Sequence, residues 1–256
     1  ETMGYDTKRI PEAQRFISRA KNRGWLPNHP TLQHQVQSEE LVFYHEVYVR
    51  YQAQLLTLNA LDFDDLCLLP MLHFQWNTDR LRVYQDRFPH VLIDEYQDTN
   101  DTQFTLSCLL ANHSQRNLFV VGDEDQSIYG FRFADYRHVK GLQRTFPDHN
   151  LVFLEQNYRS KSGIVSAGQK LIEHNRDRAK KKLWTDNPGP SIVDTVQCYD
   201  QIEEAELAAN LIEAQIGNGT PANEIAVLYR THALSRAVET VLVRRKIPYQ
   251  MARGVA

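Results

Sequence analysis

The sequence holds 256 residues, 42% of them hydrophobic and 24% charged, enough apolar content for one or two globular domains with their own cores. A net charge of −3 gives no chain-wide basic footprint, which weighs against a protein that holds nucleic acid by bulk electrostatics, while a local basic groove would not show in a net charge. No apolar run reaches the length of a membrane span and no signal peptide opens the chain. Three separated cysteines, Cys67, Cys108 and Cys198, lack metal-ligand spacing and read as reduced thiols, so the expectation is a cytoplasmic protein with no membrane partner.

Residues 1–84 read as helical. Ile10-Pro11-Glu12-Ala13 starts a helix that runs through Phe16, Ile17 and Ala20 to a stop at Gly24, and Asn28-His29-Pro30 is a loop. From Leu32 to Leu61 there is no Gly or Pro, and Tyr44, Val47, Tyr48, Tyr51, Leu55 and Leu58 recur at helical spacing. That pattern predicts one long helix whose aromatic stripe packs on neighbouring helices. The acids of Leu61-Asp62-Phe63-Asp64-Asp65-Leu66 read as a helix N-cap rather than a metal site.

Residues 85–156 change character. Three apolar runs, Val91–Ile93, Leu118–Val121 and Leu151–Leu154, each end in polar residues, with helices expected at Thr102–Asn112 and Tyr136–Thr145. Strand–helix–strand alternation of this kind predicts a parallel sheet with crossover helices, whose carboxyl-terminal strand ends converge on one edge. From Tyr158 a second α/β unit is expected: a helix capped by Ser160 or Ser162, a basic cluster within Arg176–Lys182, and a turn at Asn187–Pro190. Strands are expected at Ile192–Val196, Ile225–Leu228 and near Tyr249, and amphipathic helices at Glu203–Ile216 and Ser235–Arg245.

The chemistry gathers at the strand ends. Asp94-Glu95 after Val91-Leu92-Ile93 suits a nucleotide-hydrolysing protein, where the first acid holds Mg²⁺ and the second acts on the attacking water; the plainer alternative is a solvated strand end. Gln126 follows the second run and can sense a γ-phosphate by hydrogen bonding without adding charge. Tyr129 and Phe131, with Arg132 beside them, suit a platform for unpaired bases, or else a turn whose aromatics plug the core. Tyr158 can stack on a purine. Arg159 can stabilise charge on a transferring phosphoryl group, or can be a buried arginine paired with a strand-end acid.

Asp94-Glu95-Tyr96-Gln97-Asp98-Thr99, then Val121-Gly122-Asp123-Glu124-Asp125-Gln126-Ser127-Ile128-Tyr129, then Gln156-Asn157-Tyr158-Arg159-Ser160 occur in one order and spacing. Together they resemble motifs II, III and IV of the UvrD/Rep/PcrA class of superfamily 1 DNA helicases. Leu61–Leu66 is similar to the acidic element before motif II, Ile17-Ser18-Arg19-Ala20-Lys21-Asn22 to the opening of the helical 1B insertion, and Ile225–Arg230, Ser235-Arg236 and Ile247-Pro248-Tyr249 to the early second motor domain. The resemblance implies an α/β fold of partial RecA-like P-loop NTPase domains. It divides the chain into a 1B-like subdomain at 1–84, the motif II–III half of the first RecA-like domain at 85–156, and the start of the second at 157–256. It also implies ATP and Mg²⁺ as cofactors, and single-stranded DNA, single–double-strand junctions and repair or replication proteins as partners. Asp94, with Glu95, would serve the metal; Glu95 would act on the water and Gln126 would link γ-phosphate to DNA. Arg159 would be the arginine finger and Tyr158 the adenine stack. Tyr129, Phe131, Arg132, Arg230 and Arg236 would touch DNA.

The departures are specific. Phe131 stands where Trp is usual, and Phe133 where Gly is expected. No G-x-x-x-x-G-K-[ST] phosphate loop occurs; Gly163–Lys170 has Gln before its Lys and lies in an expected helix. With no initiator Met at Glu1, the expectation is an internal piece of a 3′-to-5′ helicase that is inactive alone. Two alternatives are a non-catalytic DNA- or protein-binding module derived from a helicase, and a metal-dependent hydrolase built on Asp94, Glu95, Asp98, Asp123 and Asp125.

Overall fold

The computed structural model describes residues 9–111, 117–175, 178–188 and 193–252. Two compact units divide the chain, Glu1–Gly189 and Pro190–Ala256. The first is mostly helical and carries a small parallel sheet.

Helix α1 (Ile10–Asn22) opens with Pro in its first turn and ends before Gly24, whose positive φ of 81° turns the chain. The single helix expected from Leu32 to Leu61 is broken in two, α2 (Pro30–Gln35) and α3 (Glu39–Thr57). Ser38 causes the break: it adopts extended backbone and its hydroxyl accepts from the Leu41 amide at 3.3 Å, so Ser-Glu-Glu starts a fresh helix with two acids in its first turn. The aromatic stripe holds over the first half of α3. Tyr48 is fully buried with Ile17, Ala20 and Leu32, and its hydroxyl donates to the Trp25 carbonyl at 2.8 Å, whereas Tyr51 and Leu58 are exposed.

The acidic element before α4 (Asp65–Trp76) caps the helix through Asp62 rather than through the residue next to it. The Asp64 side chain accepts from Asn22 at 2.9 Å instead of capping, and Asp62 takes over by accepting from the Asp65 amide at 2.8 Å. Lys21, wholly buried, reaches Asp62 at 2.7 Å and Asp65 at 2.8 Å. A buried ammonium requires such pairing, and it takes both carboxylates. Leu68, Met71 and Leu72 of α4 then pack against Leu106 and Leu109 of α6 (Asp101–Leu110), while α5 (Thr78–Arg87) leads to the sheet.

Strands β1 (Val91–Ile93) and β2 (Leu118–Val120) pair in parallel, Val91 opposite Leu118 and Ile93 opposite Val120, with α6 within the crossover. Asn100 and Gln103 close a capping box at the start of α6, fixing where the chain leaves the β1 end. The third apolar run, Leu151–Leu154, is not a strand. It has no strand partner among the described residues, all four side chains are exposed, and its only sheet-like feature is a bridge from Gln156 to Trp184. Helices α7 (His138–Thr145) and α8 (Ser162–Ile172) flank it in sequence.

In the second unit, α9 (Gln201–Gly217) and α10 (Ser235–Arg244) bury Ala205, Ala209, Ile212, Val241, Leu242 and Ile247 between them. The expected strands at 225–228 and near Tyr249 do not form, nor does 193–196. Ile225 lies against the helical core instead, Leu228 is exposed, and no described neighbour offers a ladder. Ile192 and parts of the basic cluster, the 187–190 turn and the Thr102–Asn112 helix lie outside the described residues.

Candidate active site

The parallel register carries the end of β1 and the end of β2 to one edge. The Val121 amide donates to the Ile93 carbonyl at 2.8 Å, and the Tyr96 amide to the Val121 carbonyl at 2.9 Å. Beyond those bonds both chains turn sharply, and the polar residues expected at the strand ends come together.

Asp94 and Glu95 are both exposed. One Asp94 oxygen accepts from the Glu95 amide at 2.9 Å, and the other makes no hydrogen bond among the described residues. Glu95 adopts left-handed backbone, φ 50° and ψ 45°, an uncommon conformation for a side-chain-bearing residue. Its carboxylate accepts from Gln97 Nε2 at 2.7 Å. Gln97 is buried, and its Oε1 accepts from the Asp123 amide at 2.9 Å. Between them lies Gly122: a Cβ there would sit 2.7 Å from Gln97 Oε1 and 3.1 Å from the Tyr96 nitrogen, so glycine is required by approach rather than by φ. Asp98 completes the acidic side. Burial, then the Glu95 charge, pushes its carboxyl above the ordinary range.

The β2 end forms a short turn over Glu124–Gln126. The Asp123 carboxylate accepts from the Asp125 amide at 3.0 Å and from Gln126 Nε2 at 2.8 Å, leaving Gln126 exposed. Basic groups from 178–181 close on this turn: Arg178 pairs with Asp125 at 2.8 Å, Lys181 with Asp123, and the Ala179 amide donates to Glu124. Burial works to raise the Asp123 carboxyl, but hydrogen bonds from Lys181 and Gln126 and the Lys181 charge leave it below the ordinary carboxylate value. Asp123 and Asp125 are thus already countered by cations, whereas Asp94 and Glu95 have no cation partner among the described residues.

Tyr129 and Phe131 face solvent instead of plugging the core, ring centroids 5.9 Å apart, and the Arg132 guanidinium lies 5.7 and 5.8 Å from the two rings. Phe133, at the place expected for Gly, takes the left-handed φ of 66° that glycine would have served and sits 5.9 Å from the Arg19 guanidinium. Tyr158 and Arg159 are exposed, beside a turn in which Asn157 Oδ1 accepts from the Arg159 and Ser160 amides; the Tyr158 hydroxyl donates to Gln156 at 2.8 Å. Arg159 is therefore not the buried arginine of the plainer reading. Arg230 and Arg236 are exposed in the second unit. The sequence reading missed Gln97 as an individual residue and the grip of Arg178 and Lys181, although it had marked their basic cluster.

Comparison with known proteins gives this edge a context. Residues 1–147 match the UvrD/REP helicase N-terminal domain, and residues 152–255 the UvrD-like helicase C-terminal domain. The chain belongs to the UvrD/REP helicase family. It is 40% identical over 253 residues to the ATP-dependent DNA helicase PcrA of Staphylococcus epidermidis (strain ATCC 35984), covering 97% of this chain and 34% of that relative. The PcrA of Leuconostoc citreum is 42% identical over 210 residues, covering 82% and 28%, and that of Staphylococcus aureus (strain NCTC 8325) 41% over 208 residues, covering 81% and 28%. The chain thus spans about a third of the length of these UvrD/REP relatives.

Proposed function

We propose that this chain supplies the motif II, III and IV portion of an ATP-dependent 3′-to-5′ DNA helicase, with 1–84 as a 1B-type subdomain, 85–156 from the first RecA-like domain and 157–256 from the second. The observation that carries the reading is the shared edge, where Asp94 and Glu95 at the end of β1 and Gln126 at the end of β2 are exposed, and where Gln97 links the Glu95 carboxylate to the Asp123 amide of the β2-end turn.

The residues fit a magnesium–nucleotide complex. Mg²⁺ bound with nucleotide takes one or two carboxylates and keeps the rest of its ligands from phosphate and water, and Asp94 offers an exposed carboxylate with an oxygen not hydrogen-bonded among the described residues. When bound, the cation neutralises charge on the phosphate oxygens. Glu95 orients the attacking water and accepts its proton. Gln126 bonds the terminal phosphate without adding charge. Arg159 supplies cationic stabilisation to the transferring group and Tyr158 stacks on the adenine. Tyr129, Phe131 and Arg132 hold single-stranded DNA by stacking and phosphate pairing, joined by Arg230 and Arg236.

The 256 residues contain no phosphate loop, so the isolated chain is expected neither to hydrolyse ATP nor to bind Mg-ATP at micromolar affinity. Titrating it with Mg-ATP by calorimetry checks this; micromolar binding contradicts it. In the full-length protein, hydrolysis stimulated by single-stranded DNA supports the motor. Absence of turnover with or without DNA favours the non-catalytic module.

A further inference from the structure

We propose that Gln97 is a positioning residue: its buried side-chain amide holds the Glu95 carboxylate in its working orientation and ties that orientation to the backbone of the β2-end turn that carries Gln126. This rests on the reading of Glu95 as the group that acts on water.

Three features carry it. Gln97 lies in the same short turn as Glu95, is 1% exposed, and has both ends of its amide committed, Nε2 to Glu95 at 2.7 Å and Oε1 to the Asp123 amide at 2.9 Å. A glutamine amide can flip only by exchanging donor and acceptor, and here each partner forbids it: the carboxylate accepts only, the backbone amide donates only. Gly122 lets the turn approach to the point where a single methyl group would push the amide away. Glu95 itself is exposed and sits on left-handed backbone, and the Gln97 bond is the one side-chain hydrogen bond that fixes its carboxylate among the described residues.

The acids around this contact sharpen its role. Asp94 and Asp98 flank Glu95 in sequence, and Asp123 stands across the turn, paired with Lys181. A neutral donor steadies the Glu95 carboxylate while preserving its charge and basicity better than a lysine would in that place. Movement of the β2-end turn is transmitted by the same amide to Glu95, so a shift at Gln126 is read at the water-activating group.

The test uses the full-length protein and steady-state ATP hydrolysis with saturating single-stranded DNA across pH. Gln97→Glu keeps the volume and the acceptor for Asp123 but sets a second carboxylate against Glu95. Expected is a fall in kcat on the order of tenfold or more at neutral pH, with KM for ATP within about twofold. The deficit should narrow as pH falls, because a protonated Glu at 97 regains a donor. Gln97→Met, which has neither donor nor acceptor, should show a deficit that does not narrow with acid. A defect of folding alone gives no such contrast between the two variants. Wild-type kcat and pH profile in either variant overturns the proposal, as does an equal pH dependence of both deficits. Glu95→Gln run alongside separates the two readings: if it retains turnover, the role of Glu95 itself fails; if it alone is inactive, only the positioning role of Gln97 fails. Should Gln97→Glu not fold, Gln97→Met and Gly122→Ala, which presses on the amide from outside, decide by the same kcat-against-KM split.

Discussion

Two carboxylate clusters in the first unit use the same residue types to opposite ends. At Asp62, Asp64 and Asp65 the acids are drawn inward, where Lys21, Asn22 and a backbone amide bind them, and Lys21 and Asp65 have no exposed side-chain surface. At Asp94 and Glu95 the acids stay in solvent, held in place by one backbone amide and one glutamine. The first cluster joins α1 to α4 through ion pairs and hydrogen bonds to Lys21 and Asn22. The second is rigid behind and open in front. Acidity alone does not mark a site; what distinguishes one is charge left uncompensated on an ordered backbone.

Substitutions should separate the clusters cleanly, beginning with the largest effect. Lys21→Met strands Asp65 without its cation and should lower unfolding free energy by about 3–5 kcal/mol in urea titrations, whereas Lys21→Met with Asp65→Leu should recover more than half of that loss. Recovery would mark the pair as replaceable packing; none would assign it a further role. At the open cluster, Gly122→Ala should cost about 1–3 kcal/mol by forcing Gln97 or Tyr96 to move. Phe131→Ala touches neither cluster and should leave stability unchanged, while weakening single-stranded DNA binding by the full-length protein by about 1–3 kcal/mol in a fluorescence titration. The smallest effect is acid sensitivity. Burial works to raise Asp62, but hydrogen bonds from Lys21 and the Asp65 amide leave its value lowered in the folded state. Its contribution is therefore present above the unfolded value of about 3.9 and lost as pH falls through the folded value. Unfolding curves followed from pH 6 to below pH 3 should show a steeper loss of stability in the wild type than in Asp62→Asn.

Much of this was legible in the sequence, for reasons that also explain the failures. The motifs placed Asp94, Glu95 and Gln126 on one edge because an apolar triplet ending in polar residues is a local signal, and the β1–β2 pairing follows from it. The runs at 151–154 and 225–228 carry the same signal and are not strands. Strand formation depends on a partner, which local pattern does not encode. Ser38 was overlooked because no Gly or Pro interrupts 32–61, yet its capping hydroxyl starts a new helix without either. The acids before α4 read as an N-cap without a choice among them; Asp62 serves the helix start, while Asn22, more than forty residues away, holds Asp64. Gln97 was present in the quoted motif, yet its role required knowing that Gly122 approaches it. Phe133 ran the other way: the sequence flagged a place for glycine, and the backbone keeps the left-handed turn with phenylalanine in it.

The most direct measurement is ATP turnover by the full-length protein with and without single-stranded DNA, comparing wild type with Glu95→Gln, each checked by thermal unfolding. Expected are DNA-stimulated turnover in the wild type, its loss by roughly a hundredfold or more in Glu95→Gln, and melting curves that coincide. Equal turnover in the two proteins, or loss of turnover accompanied by loss of fold, would contradict a catalytic edge built on an exposed and structurally dispensable Glu95.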